Sequence, residues 1–118
     1  MNIDVDVLSA AADEASEFLK SLASPVRLRI LCSIVEREAS VGELAEMLGV
    51  RQSVASQHLA LLRKDGLVMA RRDGQTIFYS LADDRVIKLI EVLQETFCPA
   101  PAQMVEAAPE GRRRKARA

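Results

Sequence analysis

The sequence predicts a mainly α-helical domain with one small β-hairpin, with its elements in the order ααααββα. Apolar residues recur at helical spacing in five segments. Leu67–Arg72 and Thr76–Leu81 alternate polar and apolar positions on both sides of Asp73-Gly74, which is typical of a hairpin with a tight turn. The 118 residues suffice for one core. Because aromatic residues make up only 3% of the chain, that core must consist of Leu, Ile, Val and Ala.

The first two helices are predicted over residues 6–22 and from Pro25 to about Arg37. Ser24 is a favourable N-cap, and Pro25 suits the first helical position because an N–H there would have no helical partner. Cys32 follows Leu28 by one turn, which places it on or beside the buried face. The positions expected to face inward are Leu8, Ala11, Ala12, Ala15, Phe18, Leu19 and Leu22 in the first helix, and Leu28, Leu31, Ile34 and Val35 in the second.

A short third helix and a longer fourth helix follow, with Gly49 between them. Ser40 and Glu43 have the spacing of a capping box, in which each side chain bonds to the backbone N–H of the other residue. Gly49 is a typical helix stop because glycine readily adopts positive φ. The fourth helix is predicted from Gln52 to about Asp65. The expected apolar anchors are Leu44, Ala45 and Leu48 in the third helix, and Val54, Leu59, Leu61 and Leu62 in the fourth.

A last helix is predicted to begin after a cap at Asp83 or Asp84 and to reach about Phe97. Pro99 then prevents much continuation. The residues that follow are rich in Ala, Pro and Arg, a composition typical of a flexible segment. We therefore predict one domain over residues 1–98 and a flexible basic tail over residues 99–118.

The formal net charge of −1 conceals a strong asymmetry along the chain. Residues 1–50 contain four basic and nine acidic side chains, whereas residues 51–80 contain five basic and two acidic ones. Residues 112–118 add five basic side chains and no acidic one. A polyanion is therefore expected to meet the middle of the chain rather than its start.

The sequence also argues against several classes of protein. No apolar run approaches the roughly 20 residues that span a bilayer, and the acidic N-terminal segment lacks the basic start of a secretory signal. We expect a cytoplasmic protein without membrane contact. A thiol enzyme is the main rival to a binding protein, but there is neither a Cys-x-x-Cys pair nor a glycine-rich phosphate loop. The expectation is a protein that is not an enzyme and needs no cofactor.

Two short helices joined by a glycine-containing turn, followed by a hairpin and another helix, predict a winged helix-turn-helix. Such a fold inserts the start of its second short helix into the major groove of double-stranded DNA. Glutamine can bond to adenine there, and a basic hairpin suits contact with the backbone or the minor groove. A solvated surface would explain each piece alone, but not their order. The candidate DNA-binding residues are Arg51, Gln52, Ser53, Ser56, Gln57 and His58 around the fourth helix, and Arg71, Arg72 and Gln75 in the hairpin.

Four segments resemble the ArsR/SmtB family of bacterial repressors: Leu19–Leu31, Ser40–Glu46, Gln52–Val68 and Arg71–Leu81. The resemblance covers residues 15–98, with one departure at Ser53, where the family often has proline. It implies a repressor that forms a homodimer through its first and last helices. A symmetric dimer is expected to read an inverted-repeat operator, since its two recognition helices are related by the same twofold axis.

The inducer class is predicted from the cysteines. Metal sensors of this family carry a Cys-x-Cys pair near the segment Glu43–Leu48, or His and carboxylate ligands on the last helix. Here the segment Glu43–Leu48 contains no cysteine, and residues 83–98 contain no histidine. Cys32 and Cys98, 66 residues apart, resemble instead the pair of the persulfide- and redox-responsive branch. That resemblance implies release from DNA by reactive sulfur species such as a persulfide, or by an oxidant, through an intramolecular Cys32–Cys98 bridge that is either a disulfide or a polysulfide. A metal-responsive repressor and a constitutive DNA-binding protein with inert cysteines remain the alternatives.

Overall fold

A computed structural model of the chain describes residues 2–98. These residues belong to two units, one ending at Val86 and the other beginning at Ile87. The predicted mainly helical class with a small hairpin is confirmed. Within residues 2–98, every helix is too short or too polar to cross a membrane. In chain order the elements are α1 (Val5–Ala10), α2 (Ala12–Leu22), α3 (Pro25–Ser33), β1 (Ala39–Ser40), α4 (Val41–Leu48), α5 (Gln52–Lys64), β2 (Val68–Asp73), β3 (Thr76–Leu81) and α6 (Asp84–Phe97).

The core of the first unit is aliphatic, as the low aromatic content predicts. Each large buried side chain removes enough apolar surface from water to contribute about 1.5–3 kcal/mol relative to an exposed one. The core therefore holds α3, α4 and α5 against one another and against the hairpin. Its largest fully buried side chains are Ile30, Leu31, Ile34, Leu44, Leu59, Leu62, Leu67 and Val86.

Local capping signals are where the sequence predicts them. The Ser24 hydroxyl accepts a hydrogen bond from the backbone N–H of Arg27 at 3.3 Å, with Pro25 in the first helical position. At the start of α4 the backbone N–H of Glu43 donates to the Ser40 hydroxyl at 3.2 Å, and the backbone N–H of Ser40 donates to the Glu43 carboxylate at 2.9 Å. Gly49 ends α4 with φ of 70°, in the left-handed region.

The sheet has three antiparallel strands in the order β1-β3-β2, although the sequence predicts only the hairpin. The additional strand β1 is two residues long, and Ser40 lies opposite Phe78 in its register with β3. In the hairpin the last pair is Asp73 with Thr76, so the turn consists of Gly74 and the residue after it. Gly74 has φ of 66°, as a primed turn requires.

Two helix boundaries differ from the predictions. The helix predicted over residues 6–22 is interrupted at Ala11, whose φ of −96° and ψ of 6° separate α1 from α2. Neither Pro nor Gly marks that site, so the apolar spacing could not locate it. The second helix ends at Ser33 rather than near Arg37, with Ile34 as its C-cap. The chain leaves the helix early because it must reach the pairing of β1 with β3, which local periodicity does not encode.

One predicted anchor of α5 is wrong, since Leu61 is 43% exposed. Ala55 is fully buried in its place, with Leu59 and Leu62 on the same side of the helix. A buried alanine lets α5 approach its neighbours closely. Because its side chain is small, Ala55 is a weak signal of a buried position in the sequence. At the start of α6 the cap is Asp83, whose carboxylate accepts the backbone N–H of Arg85 at 2.9 Å.

Candidate nucleic-acid interface and the two cysteines

The start of α5 presents a row of polar side chains to solvent. Residues at spacings of one, four and five positions share one side of a helix, because each residue turns the chain by about 100°. The apolar residues on the other side of α5 are buried against the rest of the first unit, so the polar row is directed outward. The row consists of Gln52, Ser53, Ser56 and Gln57, all of them exposed.

The N-terminus of α5 carries no side-chain cap. Arg51 occupies the N-cap position and is exposed, and its carbonyl accepts the backbone N–H groups of Val54 and Ala55 at 3.0 Å each. An uncapped helix start has backbone N–H groups and a partial positive charge that favour a phosphate. A Cβ atom on Gly42 would lie 3.4 Å from the amide nitrogen of Gln52, so this side chain also borders the start of α4.

His58 lies on a different side of α5 from the polar row. It follows Ser56 by two residues, which is a rotation of roughly 200°. The ring is half-buried, and its Nδ1 accepts a hydrogen bond from Nε of Arg27 in α3 at 3.3 Å. The sequence places His58 beside Ser56 and Gln57 only because these residues are consecutive. The described partner of His58 is Arg27 of the same protein.

Arg71 in β2 is held by two partners within the first unit. Its Nε and Nη2 donate to the two carboxylate oxygens of Glu38 at 3.1 and 2.5 Å, and its guanidinium lies 4.9 Å from the centre of the Phe78 ring. The hydrogen bonds from Arg71 hold the pKa of the Glu38 carboxyl below its ordinary value. The sequence does not indicate a role for Glu38, because the proximity of Glu38 to the hairpin depends on the short strand β1.

Arg72 and Gln75 occupy the exposed part of the hairpin. Successive side chains of a strand point to opposite faces, so Arg72 faces away from the side on which Arg71 meets Glu38. Gln75 is the second residue of the turn, directly after Gly74. The hairpin thus contributes one arginine bound within the protein and one that is solvated at its tip.

The arrangement of α4, a glycine turn, an exposed polar row on α5 and a hairpin has clear counterparts in known proteins. The arsR family of bacterial regulatory proteins matches residues 24–70. The transcriptional activator HlyU of Vibrio cholerae is 47% identical over 87 residues, which are 74% of this chain and 81% of that protein. The chain belongs to the ArsR family. The biofilm growth-associated repressor of Agrobacterium fabrum is 43% identical over 96 residues, covering 81% of this chain and 82% of the relative.

Solved structures of ArsR-family proteins share the fold. The repressor BigR from Xylella fastidiosa superposes with a TM-score of 0.79 at 38% identity, covering 83% of this chain and all of that one. The winged helix-turn-helix domain of Mb0332 from Mycobacterium bovis, described as homodimeric, has a TM-score of 0.65 at 28% identity over 95% of this chain and 100% of that one. The predicted winged helix-turn-helix class is therefore confirmed, and this ArsR-family chain is a transcriptional regulator.

Both cysteines of this ArsR-family chain are exposed. Cys32 lies in α3 within the first unit, beside the buried Leu31. Cys98 directly follows α6 in the second unit, and its backbone N–H donates to the carbonyl of Gln94 at 3.0 Å. In a single copy of the chain neither thiol is therefore part of the buried core.

Metal binding has no support in the described part of the chain. Between residues 2 and 98 no three His, Cys, Asp or Glu side chains lie close enough together to hold a metal ion. A stable transition-metal site needs three or four such ligands. The predicted basic tail, residues 99–118, lies outside the described residues.

Proposed function

We propose that this protein is a homodimeric repressor that binds an inverted-repeat operator and is released by a reaction at its two cysteines. The observation that carries the DNA-binding part is the outward polar row of α5 in the helix-turn-helix of an ArsR-family regulator. The repressor named BigR supports the negative direction of regulation, whereas HlyU is described as an activator.

The contacts divide into those that read bases and those that hold phosphates. Glutamine and serine side chains have both donors and acceptors for base edges in the major groove. We assign base reading to the polar row Gln52, Ser53, Ser56 and Gln57, and phosphate contact to Arg51, Arg72 and Gln75. Arg71 reaches a phosphate only by exchanging Glu38 for it, and His58 faces Arg27 instead of the groove.

A matched pair of variants tests this division. Gln57→Ala should cost about 1–3 kcal/mol of binding free energy and relax the preference at one or two base pairs, because a base contact is lost. Arg72→Ala should weaken binding to all sequences about equally and reduce the salt slope by about 1. Fluorescence anisotropy on a duplex selected from a random library, and on a scrambled one, separates the two effects. An unchanged base preference in Gln57→Ala would contradict the assignment.

The dimer is supported by apolar side chains that a single copy of the chain leaves in solvent. α1 buries none of its residues, and α2 buries only Leu22. In α2, Leu19 is 52% exposed, and at the end of α6, Phe97 is 78% exposed. A monomer gains nothing from such positions, whereas a twofold interface would bury them. The homodimeric domain of Mb0332 supports the same assembly.

The switch is proposed as a two-step sulfur exchange. The thiolate of one cysteine attacks the outer sulfur of a low-molecular-weight persulfide, whose thiolate leaves, and the cysteine becomes a persulfide. The thiolate of the second cysteine then attacks the inner sulfur, and hydrosulfide leaves as the disulfide forms. Two cysteine thiols are oxidised by two electrons, and the transferred sulfur is reduced to sulfide. The exposure of Cys32 and Cys98 supports access of a small reagent to both.

Cysteine variants test the switch on the full chain. The persulfide donor should weaken operator binding of the wild type by roughly 5- to 150-fold, the usual range of an allosteric coupling. Cys32→Ser and Cys98→Ser should each bind like the reduced wild type and ignore the donor. Intact mass spectrometry should show the loss of two hydrogens in the wild type alone. A single variant that still leaves DNA would show that one thiol suffices, and an insensitive wild type would indicate a constitutive regulator.

A further inference from the structure

α5 is held at two points on the side away from its polar row. Nε of Arg27 donates to Nδ1 of His58 at 3.3 Å, and the hydroxyl of Ser21 donates to the carboxylate of Asp65 at 2.7 Å. Asp65 is the C-cap of α5 and follows His58 by seven residues, which is about two helical turns. The two contacts therefore lie one above the other along the same side of the helix.

Both contacts start from the residues that flank the short turn between α2 and α3, with Ser21 near the end of α2 and Arg27 near the start of α3. Arg27 donates through Nη1 to the backbone carbonyl of Ser21 at 3.3 Å, and its own backbone N–H is bound by the N-cap Ser24. The same segment thus reaches the middle of α5 through Arg27 and its end through Ser21. We call the four side chains Ser21, Arg27, His58 and Asp65 the α5 clamp.

The clamp supplies a constraint that the apolar contacts of α5 lack. Apolar burial is non-directional, so Ala55, Leu59 and Leu62 stabilise the contact of α5 with the core without strictly fixing its rotation. Hydrogen bonds weaken steeply when their geometry is disturbed. A small rotation of α5 would break the His58 contact while the apolar side chains stay buried.

We propose that Arg27 is a positioning residue for DNA recognition, which acts through His58 to set the rotation of α5 about its axis. The inference depends on the proposed base-reading role of α5. Arginine offers only donors, so the contact needs an unprotonated Nδ1 on His58 as acceptor. The polar row then meets the bases in one register, and without the clamp α5 would still bind DNA but discriminate less among sequences.

The experiment compares two affinities of the full-length wild type and variants. One duplex is selected by the wild type from a random library, and the other is its scrambled version. Arg27→Met and His58→Leu should each reduce the ratio of the two affinities by about tenfold, the effect of roughly one base contact. The loss should fall on the selected duplex, with binding to the scrambled duplex and the melting temperature largely kept. The double variant should be no worse than either single one, because both remove the same contact.

Conservative variants and a charge control separate positioning from general damage. His58→Asn keeps an acceptor at the position of Nδ1 and should restore the ratio that His58→Leu loses. Arg29→Met removes one positive charge from an exposed position of α3, the helix that also carries Arg27, and should leave the ratio of the two affinities unchanged. If Arg27→Met does not fold, Arg27→Lys replaces it, since lysine keeps the charge but has no donor at the Nε position.

Three results would overturn the inference. The first is a folded Arg27→Met and a folded His58→Leu with the ratio of the wild type. The second is His58→Asn behaving like His58→Leu, which would mean that the acceptor is not what matters. The third is an equal loss on both duplexes in Arg27→Met alone, which would indicate a direct phosphate contact. A wild type that selects no duplex would instead remove the proposed function itself.

Discussion

At the scale of residues, the described partners of the arginines decide how much positive charge is available to DNA. Arg27 is bound to His58, Arg71 to Glu38, and Arg85 to Asp83. Arg85 also lies 4.7 Å from the centre of the Phe18 ring. A count of basic residues in the sequence therefore overestimates the basic surface. The exposed pair of Arg71 with Glu38 contributes little to stability, but it fixes where the guanidinium points.

Asp83 allows a prediction about acid stability. Nη2 and Nε of Arg85 donate hydrogen bonds to the Asp83 carboxylate at 2.7 and 3.1 Å, and these bonds are the main reason that the pKa of Asp83 lies below its ordinary value. A folded-state pKa below the unfolded one stabilises the protein above the ordinary carboxyl pKa of about 3.9, and this contribution is lost as pH falls further. The wild type should therefore lose stability as the pH falls below about 4.

The matched variant is Asp83→Asn, which keeps an oxygen to cap α6 but carries no charge. Its urea midpoint should depend less on pH than that of the wild type, and the two midpoints should converge at low pH. Urea titrations at several pH values, followed by circular dichroism, provide the measurement. A parallel pH dependence in both proteins would show that Asp83 does not supply the effect.

At the scale of elements, short polar signals specify where helices begin and end. Ser24, Ser40 and Gly49 each perform the role that their local sequence predicts. The turn between α4 and α5 depends on Gly49 in particular, because a side chain disfavours its φ of 70°. That turn sets the angle at which α5 leaves α4, so its conformation is a condition for the interface.

Gly49→Ala tests this turn, and Gly42→Ala is its control. Alanine in the left-handed region should cost about 1–2 kcal/mol of unfolding free energy. At Gly42 a Cβ would meet its nearest neighbour, Gln52, at an ordinary 3.4 Å, and alanine favours the helix by up to about 1 kcal/mol. Urea unfolding should rank Gly49→Ala below the wild type and Gly42→Ala at or above it. The reverse order would refute this account of the turn.

The sequence predicts elements well and distant pairings poorly, for a physical reason. Caps, helical spacing and the hairpin turn depend on residues a few positions apart, which a reader of the sequence can see together. The two-residue strand β1 exists only because Ser40 lies opposite Phe78, 38 residues later. The pairs Arg71–Glu38 and Arg27–His58 likewise require the finished fold. The candidate residues could therefore be named from the sequence as a prediction, but the partners of Arg71 and His58 could not be foreseen.

At the scale of the whole molecule, exposed apolar positions on α1, α2 and α6 form the surface that the proposed dimer would bury. Leu8 in α1 is 58% exposed, and α2 and α6 carry comparable positions. A symmetric pair of recognition helices also explains how a short polar row can specify a site, because two half-sites double the number of bases read. Dimerisation and DNA recognition are therefore expected to fail together.

Leu19→Glu is expected to separate the two copies without unfolding them. The side chain is already 52% exposed, so folding of one chain loses little, whereas a charge in a paired apolar surface is costly. Sedimentation velocity should shift the protein from dimer to monomer, and operator affinity should fall with it. Met69→Glu is the control, since Met69 is equally exposed but lies on β2. A dimeric Leu19→Glu would place the interface elsewhere.

Ser40 has a mechanical consequence, because it belongs to two structures at once. As the last residue of β1 it pairs with Phe78 of the hairpin, and as an N-cap it holds the first turn of α4. Two residues earlier, the Glu38 carboxylate accepts hydrogen bonds from Arg71 of β2. The hairpin is thus joined to the helix-turn-helix at two positions, and we expect the two parts to move together as one body. A DNA duplex that bends against the hairpin tip would transmit torque to α4, so the stiffness of the duplex would be felt where its bases are read.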